Sequence, residues 1–100
     1  MDIKKIKNGN IITLELSGRL DTVTSSKLGE ELSKVFEEGA IDLIFNFEKL
    51  DYISSAGLRV LLTAQKKINA LATTMKIINV NENVKEVFDV TGFSGILIIE

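Results

Sequence analysis

Two adjacent serines, Ser54 and Ser55, are the residues of this sequence best placed for regulated chemistry. They follow an apolar run at residues 41–47 that predicts a buried strand, and they precede an amphipathic segment that predicts a helix. The first N–H groups of a helix lack intrahelical partners, so a serine oxygen can cap them, and the helix dipole favours negative charge there. A phosphate on one of these serines would be tolerated by the fold and visible to a partner. The pattern predicts a phosphorylation switch.

The chain contains no histidine and no cysteine. This composition removes Ser-His-Asp and Cys-His catalysis and every metal site built on imidazole or thiolate. A hydrolase that uses Ser55 with a lysine base is the enzymatic alternative, but the glycine that stands two places before the nucleophile of a hydrolase elbow is missing. We therefore expect a binding protein rather than an enzyme, with no catalytic residue, no metal and no cofactor.

The composition indicates one globular domain, residues 1–100, with 45% apolar residues. The net charge of −2 comes from interspersed lysines and acids, so the clustered basic face typical of nucleic-acid binding is missing. No apolar run is long enough to span a membrane, and residues 1–5 lack the apolar segment of a signal peptide. We expect a cytoplasmic protein that makes no direct contact with nucleic acid and has no membrane span.

The order of apolar patterns predicts an α/β fold. An Asn-Gly turn at residues 8–10 joins strands 2–7 and 11–17 as an antiparallel hairpin, and residues 18–21 break the second strand. The next predicted elements are a helix at residues 24–38, capped by Asp21, Thr22 or Thr24, and a strand at residues 41–47. A second helix is predicted from Ser54/Ser55 to about residue 71 or 72, followed by a strand at residues 74–80. The last predicted elements are a short helix, capped by Asn81 or Asn83 and ending at Gly92, and a strand at residues 96–99. Two strands followed by alternating helices and strands predict a mixed sheet with parallel crossovers.

Helical spacing predicts which side chains face the core. The first helix has an apolar stripe formed by Leu28, Leu32, Val35 and Phe36. The second helix is expected to turn inward Leu58, Leu61, Leu62, Ile68 and Leu71, and outward Arg59, Gln65, Lys66 and Asn69. Gly57 inside this helix lowers helix stability by about 1 kcal/mol relative to alanine. We therefore expect the glycine to serve a purpose, either close approach by a partner or helix packing.

Four stretches carry a resemblance to a known family: Gly18–Asp21, Asn46–Leu50, Tyr52–Leu58 and Val84–Gly92. In their order and spacing they resemble the STAS domain family, and in particular its anti-sigma factor antagonists. The resemblance implies a STAS-like mixed sheet packed with about three helices, and a partner switch. The unmodified protein would bind an anti-sigma factor that is also a serine kinase, phosphorylation of one serine would dissociate the complex, and a phosphatase would reset it.

The same resemblance places the acceptor serine. Alignment on Gly57 and Leu58 puts the family's acceptor on Ser55, and Ser54, where many members carry aspartate, is the rival. Asp21 is expected either to cap the first helix or to shape the partner-facing surface. The partner-binding residues implied in this way are Asp21, Ser54, Ser55, Ala56, Gly57 and Arg59. The family usually continues into a terminal helix beyond the last strand, so we expect an exposed apolar patch unless other helices cover it.

Two other interpretations use the same region. A ligand-sensing or transporter-associated STAS module would bind a nucleotide or lipid, with the helix N-terminus as its anion site. Asp51, after the central strand, resembles the phosphorylated aspartate of a receiver domain. Receivers hold magnesium with acidic residues after the first strand, where this sequence has residues 8–10, Asn-Gly-Asn. We therefore expect Asp51 to be a turn residue.

Overall fold

Five strands in the order β1-β2-β3-β4-β5 form a mixed sheet in the computed structural model, which describes all 100 residues. Strand β1 pairs antiparallel with β2, and the remaining neighbours pair parallel. This arrangement confirms the predicted α/β fold. The elements are β1 (Asp2–Asn8), β2 (Ile11–Leu20), α1 (Thr22–Phe36), β3 (Asp42–Ile53), α2 (Ser55–Ala70), β4 (Met75–Ile78), α3 (Glu82–Thr91) and β5 (Ile98–Ile99).

All three helices lie on one face of the sheet. Consecutive parallel strands are adjacent, and right-handed crossovers then return to the same side each time. The ring of Phe88 in α3 stacks on that of Phe47 in β3 at a centroid distance of 6.5 Å. The strand residues buried beneath the helices are Ile12, Leu14, Leu16, Leu43, Phe45, Phe47, Met75 and Ile77. The alternate residues of β2–β4 form the opposite, open face and are only half-buried.

Strands β2 and β3 both run beyond their predicted ends. The register between them shifts between Glu15 and Ser17 and again between Gly18 and Arg19, and Gly18 adopts a left-handed φ of +97°. Such bulges interrupt the apolar alternation of a strand without ending it. The predicted break at residues 18–21 is therefore wrong. The prediction of Asp51 as a turn residue is also wrong, because it lies within β3.

The helices match their predicted apolar stripes with one exception. Leu28, Leu32 and Val35 of α1 are buried, as expected. Gln65 of α2 is buried rather than outward-facing, and its Nε2 donates to Asn69 Oδ1 at 3.0 Å. The reason is its position seven residues after Leu58 and four after Leu61, which places it on the same helix face.

The remaining boundary errors are small. Helix α1 lies two residues earlier than predicted at both ends, and β4 is shorter than residues 74–80. A 3₁₀ turn at Phe93–Gly95 precedes β5, which has two residues instead of the predicted four. Ile98 in this short strand is 52% exposed. Gly92, at a φ of +79°, ends α3 as predicted. None of the helices has the length and apolarity needed to cross a bilayer.

Candidate functional site

The ends of β2 and β3 bring two helix N-termini together. Leu20 pairs with Ile53 as the last residues of the two parallel strands, and the N–H of Ser54 donates to the carbonyl oxygen of Leu20 at 2.8 Å. The N-caps of α1 and α2, Asp21 and Ser54, therefore stand side by side at one edge of the sheet. We call the residues at this edge the serine corner: Arg19, Asp21, Tyr52, Ser54, Ser55 and Arg59.

The two serines occupy different positions at the start of α2. Ser54 is the N-cap, with an extended backbone, and its Oγ accepts from the N–H of Gly57 at 3.3 Å. Ser55 is the first helical residue, is exposed, and makes no side-chain hydrogen bond. The Ser55 hydroxyl has no hydrogen-bonded base that would activate it as a nucleophile. It is, however, open to an incoming enzyme.

Asp21 caps α1, which decides among the three predicted caps. Its Oδ1 accepts from the N–H of Thr24 at 3.0 Å and of Val23 at 3.1 Å, and the Thr24 hydroxyl accepts from the Asp21 N–H at 2.9 Å. The hydrogen bonds from the backbone and side chain of Thr24 lower the pKa of Asp21, so its carboxylate is charged at neutral pH. Its Oδ2 makes no hydrogen bond, so the predicted partner-facing role is sterically compatible with capping.

Gly57 is explained by packing. It is buried, and a Cβ at this position would lie 2.8 Å from Leu20 Cγ and 2.9 Å from Ile53 Cγ1. The missing side chain lets the first turn of α2 sit directly on the ends of β2 and β3. Of the two explanations left open for this glycine, helix packing is the one the structure supports. Ala56, beside it, is half-buried at the rim of the corner.

Arg19 and Tyr52 form a contact that the sequence reasoning missed. They pair across β2 and β3, and the guanidinium carbon lies 4.1 Å from the ring centroid in a cation–π contact. Both are exposed, as is Val23, whose side chain in the first turn of α1 is 82% exposed. The sequence could have indicated this contact, because both residues lie next to the ends of two parallel strands and such ends meet at one edge of a sheet. Exposed tyrosine and arginine are frequent energetic anchors of protein interfaces.

The fold and the serine corner define a small α/β module that presents a hydroxyl beside paired helix N-termini. Residues 2–100 match the family model described as the STAS domain. The chain therefore belongs to the STAS domain family, and the resemblance stated from its motifs is confirmed.

Particular relatives extend this result. The chain is 32% identical over 81 residues to BtrV of Bordetella bronchiseptica, covering 81% of this chain and 70% of BtrV. It is 30% identical over 97 residues to the anti-sigma-B factor antagonist of Bacillus subtilis, covering 97% and 86% of the two chains. The anti-sigma factor antagonist SpoIIAA, solved in unphosphorylated and phosphorylated forms, superposes with a TM-score of 0.78 in both, at 20% and 21% identity. These superpositions cover 99% of this chain and 87% and 91% of the solved chains, and they show a shared fold.

Proposed function

We propose that this protein is an anti-sigma factor antagonist whose unphosphorylated form binds an anti-sigma factor that is also a serine kinase. Phosphorylation of Ser55 ends that binding, and a phosphatase restores it. The observation that carries the proposal is that Ser55, directly after the cap residue Ser54, is exposed and that its hydroxyl makes no hydrogen bond. The name of the Bacillus subtilis relative supports the class of partner. Such a protein acts in the cytoplasm as a binding partner and needs no cofactor.

A phosphate on Ser55 is expected to leave α2 folded. A phosphoserine carries about −1.5 to −2 charges at neutral pH. Helix N-termini favour anions by typically about 0.3–1 kcal/mol, and Ser54 continues to cap the helix. Phosphorylation is therefore expected to change the charge of the surface that contacts the partner and to leave the fold intact.

Charge explains why the modification blocks docking. The unmodified corner carries two arginines, Arg19 and Arg59, and one ionised aspartate, Asp21, so its net charge is 2 − 1 = +1. Adding a phosphate of about −1.5 to −2 makes this charge negative. A partner surface that is complementary to the positive corner is repelled by the negative one. Like-charge contacts at an interface are a strong means of rejecting a partner.

Binding measurements with variants of Ser55 test the proposal. Each ATP-binding anti-sigma factor encoded in the same genome is titrated by calorimetry against the wild type, Ser55→Ala and Ser55→Asp. We expect one of them to bind the wild type and Ser55→Ala, and to bind Ser55→Asp at least about tenfold more weakly, which is about 1.4 kcal/mol. Asn10→Asp adds the same charge in the hairpin turn at the far end of β2 and is expected to bind normally. Equal binding of Ser55→Asp and the wild type would refute the proposal.

A further inference from the structure

A groove with a volume of about 800 Å³ runs between α1 and α2. Both helices follow parallel strands, so they run in the same direction. The groove begins at Thr22 and Ala56, beside Ser55, and ends at Glu37 and Lys67. Its apolar lining is formed by Leu32, Phe36, Ala56, Val60 and Ala64.

Three of the five hydroxyl groups that line the groove already donate to carbonyl groups of their own segments. Ser33 Oγ donates to the carbonyl of Gly29 at 3.1 Å, and Thr63 Oγ1 donates to the carbonyl of Arg59 at 3.0 Å. Ser25 Oγ likewise donates to a carbonyl of its own segment, that of Asp21. The other two, Thr22 and Ser26, are exposed residues in the first turns of α1, at the end of the groove near Ser55. An apolar surface can therefore cover Ser25, Ser33 and Thr63 without leaving their hydroxyl groups unpaired.

The rim of the groove along α2 is positively charged. Arg59 and Lys67 both line the groove, are exposed, and form no salt bridge with any carboxylate of the chain. They are eight residues apart, which corresponds to about 12 Å along a helix axis. The only acidic residue that lines the groove is Glu37, at the end far from Ser55.

We propose that this groove receives an acidic amphipathic helix of the anti-sigma factor. The apolar stripe of that helix lies on the groove floor, and two of its acidic side chains, about two turns apart, face Arg59 and Lys67. The identity of the partner rests on the proposed function. The partner's footprint then extends from the serine corner along both helices, rather than ending at the first turn of α2.

This arrangement gives the phosphate a specific target. Ser55 and Arg59 are spaced i, i+4 on α2 and therefore lie on neighbouring turns of one helix face. A phosphate on Ser55 is within reach of the guanidinium of Arg59. It competes there with the first acidic side chain of the docked helix.

A second copy of this chain does not supply such a helix. The exposed face of α3 carries acids at Glu82, Glu86 and Asp89, but its only well-exposed apolar side chain is Val90. One valine does not cover the apolar floor of the groove. The charge of the rim and its continuity with the serine corner therefore favour a helix from a different protein.

Charge reversal at one end of the groove tests the proposal with the anti-sigma factor that binds the wild type. Lys67→Glu is expected to weaken binding by about three- to tenfold and to reduce its salt dependence, as reversal of a rim charge does. Lys66→Glu is the matched control, because Lys66 is exposed on α2 but does not line the groove; we expect its affinity to stay within about twofold of the wild type. If Lys67→Glu binds like Lys66→Glu while Ser55→Asp has lost binding, the groove is not used and the proposed function stands.

A peptide titration tests the groove independently of any anti-sigma factor. A conformationally constrained helical peptide with a leucine stripe and two glutamates two turns apart is added to ¹⁵N-labelled protein, and a version with lysines replaces it in the control. We expect amide shifts confined to the groove residues of α1 and α2 for the acidic peptide and none for the basic one. No shifts, equal shifts with both peptides, or shifts on the open sheet face would overturn the inference. If no anti-sigma factor binds the wild type, the proposed function fails and this titration alone decides on the groove.

Discussion

The N–H of Ser54 donates to the carbonyl of Leu20 at 2.8 Å, which ties the cap of α2 to the end of β2. Leu20 is also the residue whose side chain fills the space left by Gly57. The start of α2 is therefore fixed to the sheet by a backbone hydrogen bond and by close packing. A charge added to Ser55 changes the surface of this platform while its backbone contacts remain in place.

Replacing each of the two serines separately by alanine distinguishes the helix cap from the phosphate acceptor. Ser54→Ala is expected to lower the free energy of unfolding by about 1 kcal/mol, because the cap to the Gly57 N–H is lost, and to remain a kinase substrate. Ser55→Ala is expected to keep its stability, because its hydroxyl makes no hydrogen bond, and to lose phosphorylation. Urea unfolding and mass-spectrometric phosphosite mapping after incubation with candidate kinases measure the two effects. Loss of modification in Ser54→Ala alone would move the acceptor by one residue.

Two helical glycines provide a matched test of the packing at the corner. Gly57→Ala places a Cβ 2.8 Å from Leu20 and is expected to destabilise the protein, since overpacking costs about 1–3 kcal/mol and the gain in helix propensity is only about 1 kcal/mol. Gly29→Ala in α1 meets no atom within 4 Å and is expected to stabilise by about 0.5–1 kcal/mol. Denaturant unfolding measures both variants. Stabilisation of the Gly57 variant would show that the first turn of α2 packs less closely against Leu20 than the structure indicates.

The cap at Asp21 predicts a loss of stability in acid. Hydrogen bonds from Thr24 lower the pKa of the folded carboxyl, so its contribution is present above the unfolded value of about 3.9 and is lost as the pH falls through the folded pKa. We expect the wild type to be more stable than Asp21→Asn and Asp21→Ser at pH 7, and this difference to shrink as the pH falls below about 4. Both replacements retain a capping oxygen but no charge. A difference that has the same size at pH 7 and pH 3 would contradict the assignment.

The exposed Tyr52 is predicted to anchor the partner. Tyr52 is 40% exposed, and its ring contacts the guanidinium of Arg19 in the cation–π pair. Tyr52→Ala is expected to weaken binding of the anti-sigma factor by more than about 1 kcal/mol, as truncation of an interface anchor does, while the lost contact costs only about 0.5–1 kcal/mol of stability. Val90→Ala removes a well-exposed apolar side chain near the end of α3, and is expected to leave binding unchanged. If the two variants bind equally well, Tyr52 lies outside the interface.

The sequence predicted the elements that depend on local patterns. The Asn-Gly hairpin, the apolar stripe of α1 and the end of α3 at Gly92 all follow from neighbouring residues. The sequence narrowed the caps of α2 and α3 to two candidates each, of which the structure selects Ser54 and Asn81. The positions of the two serines at a strand-to-helix junction were also predictable in this way. Their roles remain predictions.

Features that depend on the pairing of distant residues were not predictable. The bulges that carry β2 and β3 beyond their expected ends break the alternation on which a strand prediction rests. The contact between Arg19 and Tyr52 and the groove between α1 and α2 exist only once the register of two parallel strands is known. Gln65 was misassigned because its polarity outweighed its position on the buried face of α2.

Phosphoserine incorporated at position 55 by an expanded genetic code tests the switch most directly, because it requires no kinase. The far-UV circular dichroism of the modified protein and its affinity for the anti-sigma factor are measured on the same sample. We predict an unchanged helical signal together with lost binding. Retained binding, or a loss of binding accompanied by a loss of helix, would contradict a switch that acts through surface charge on an intact fold.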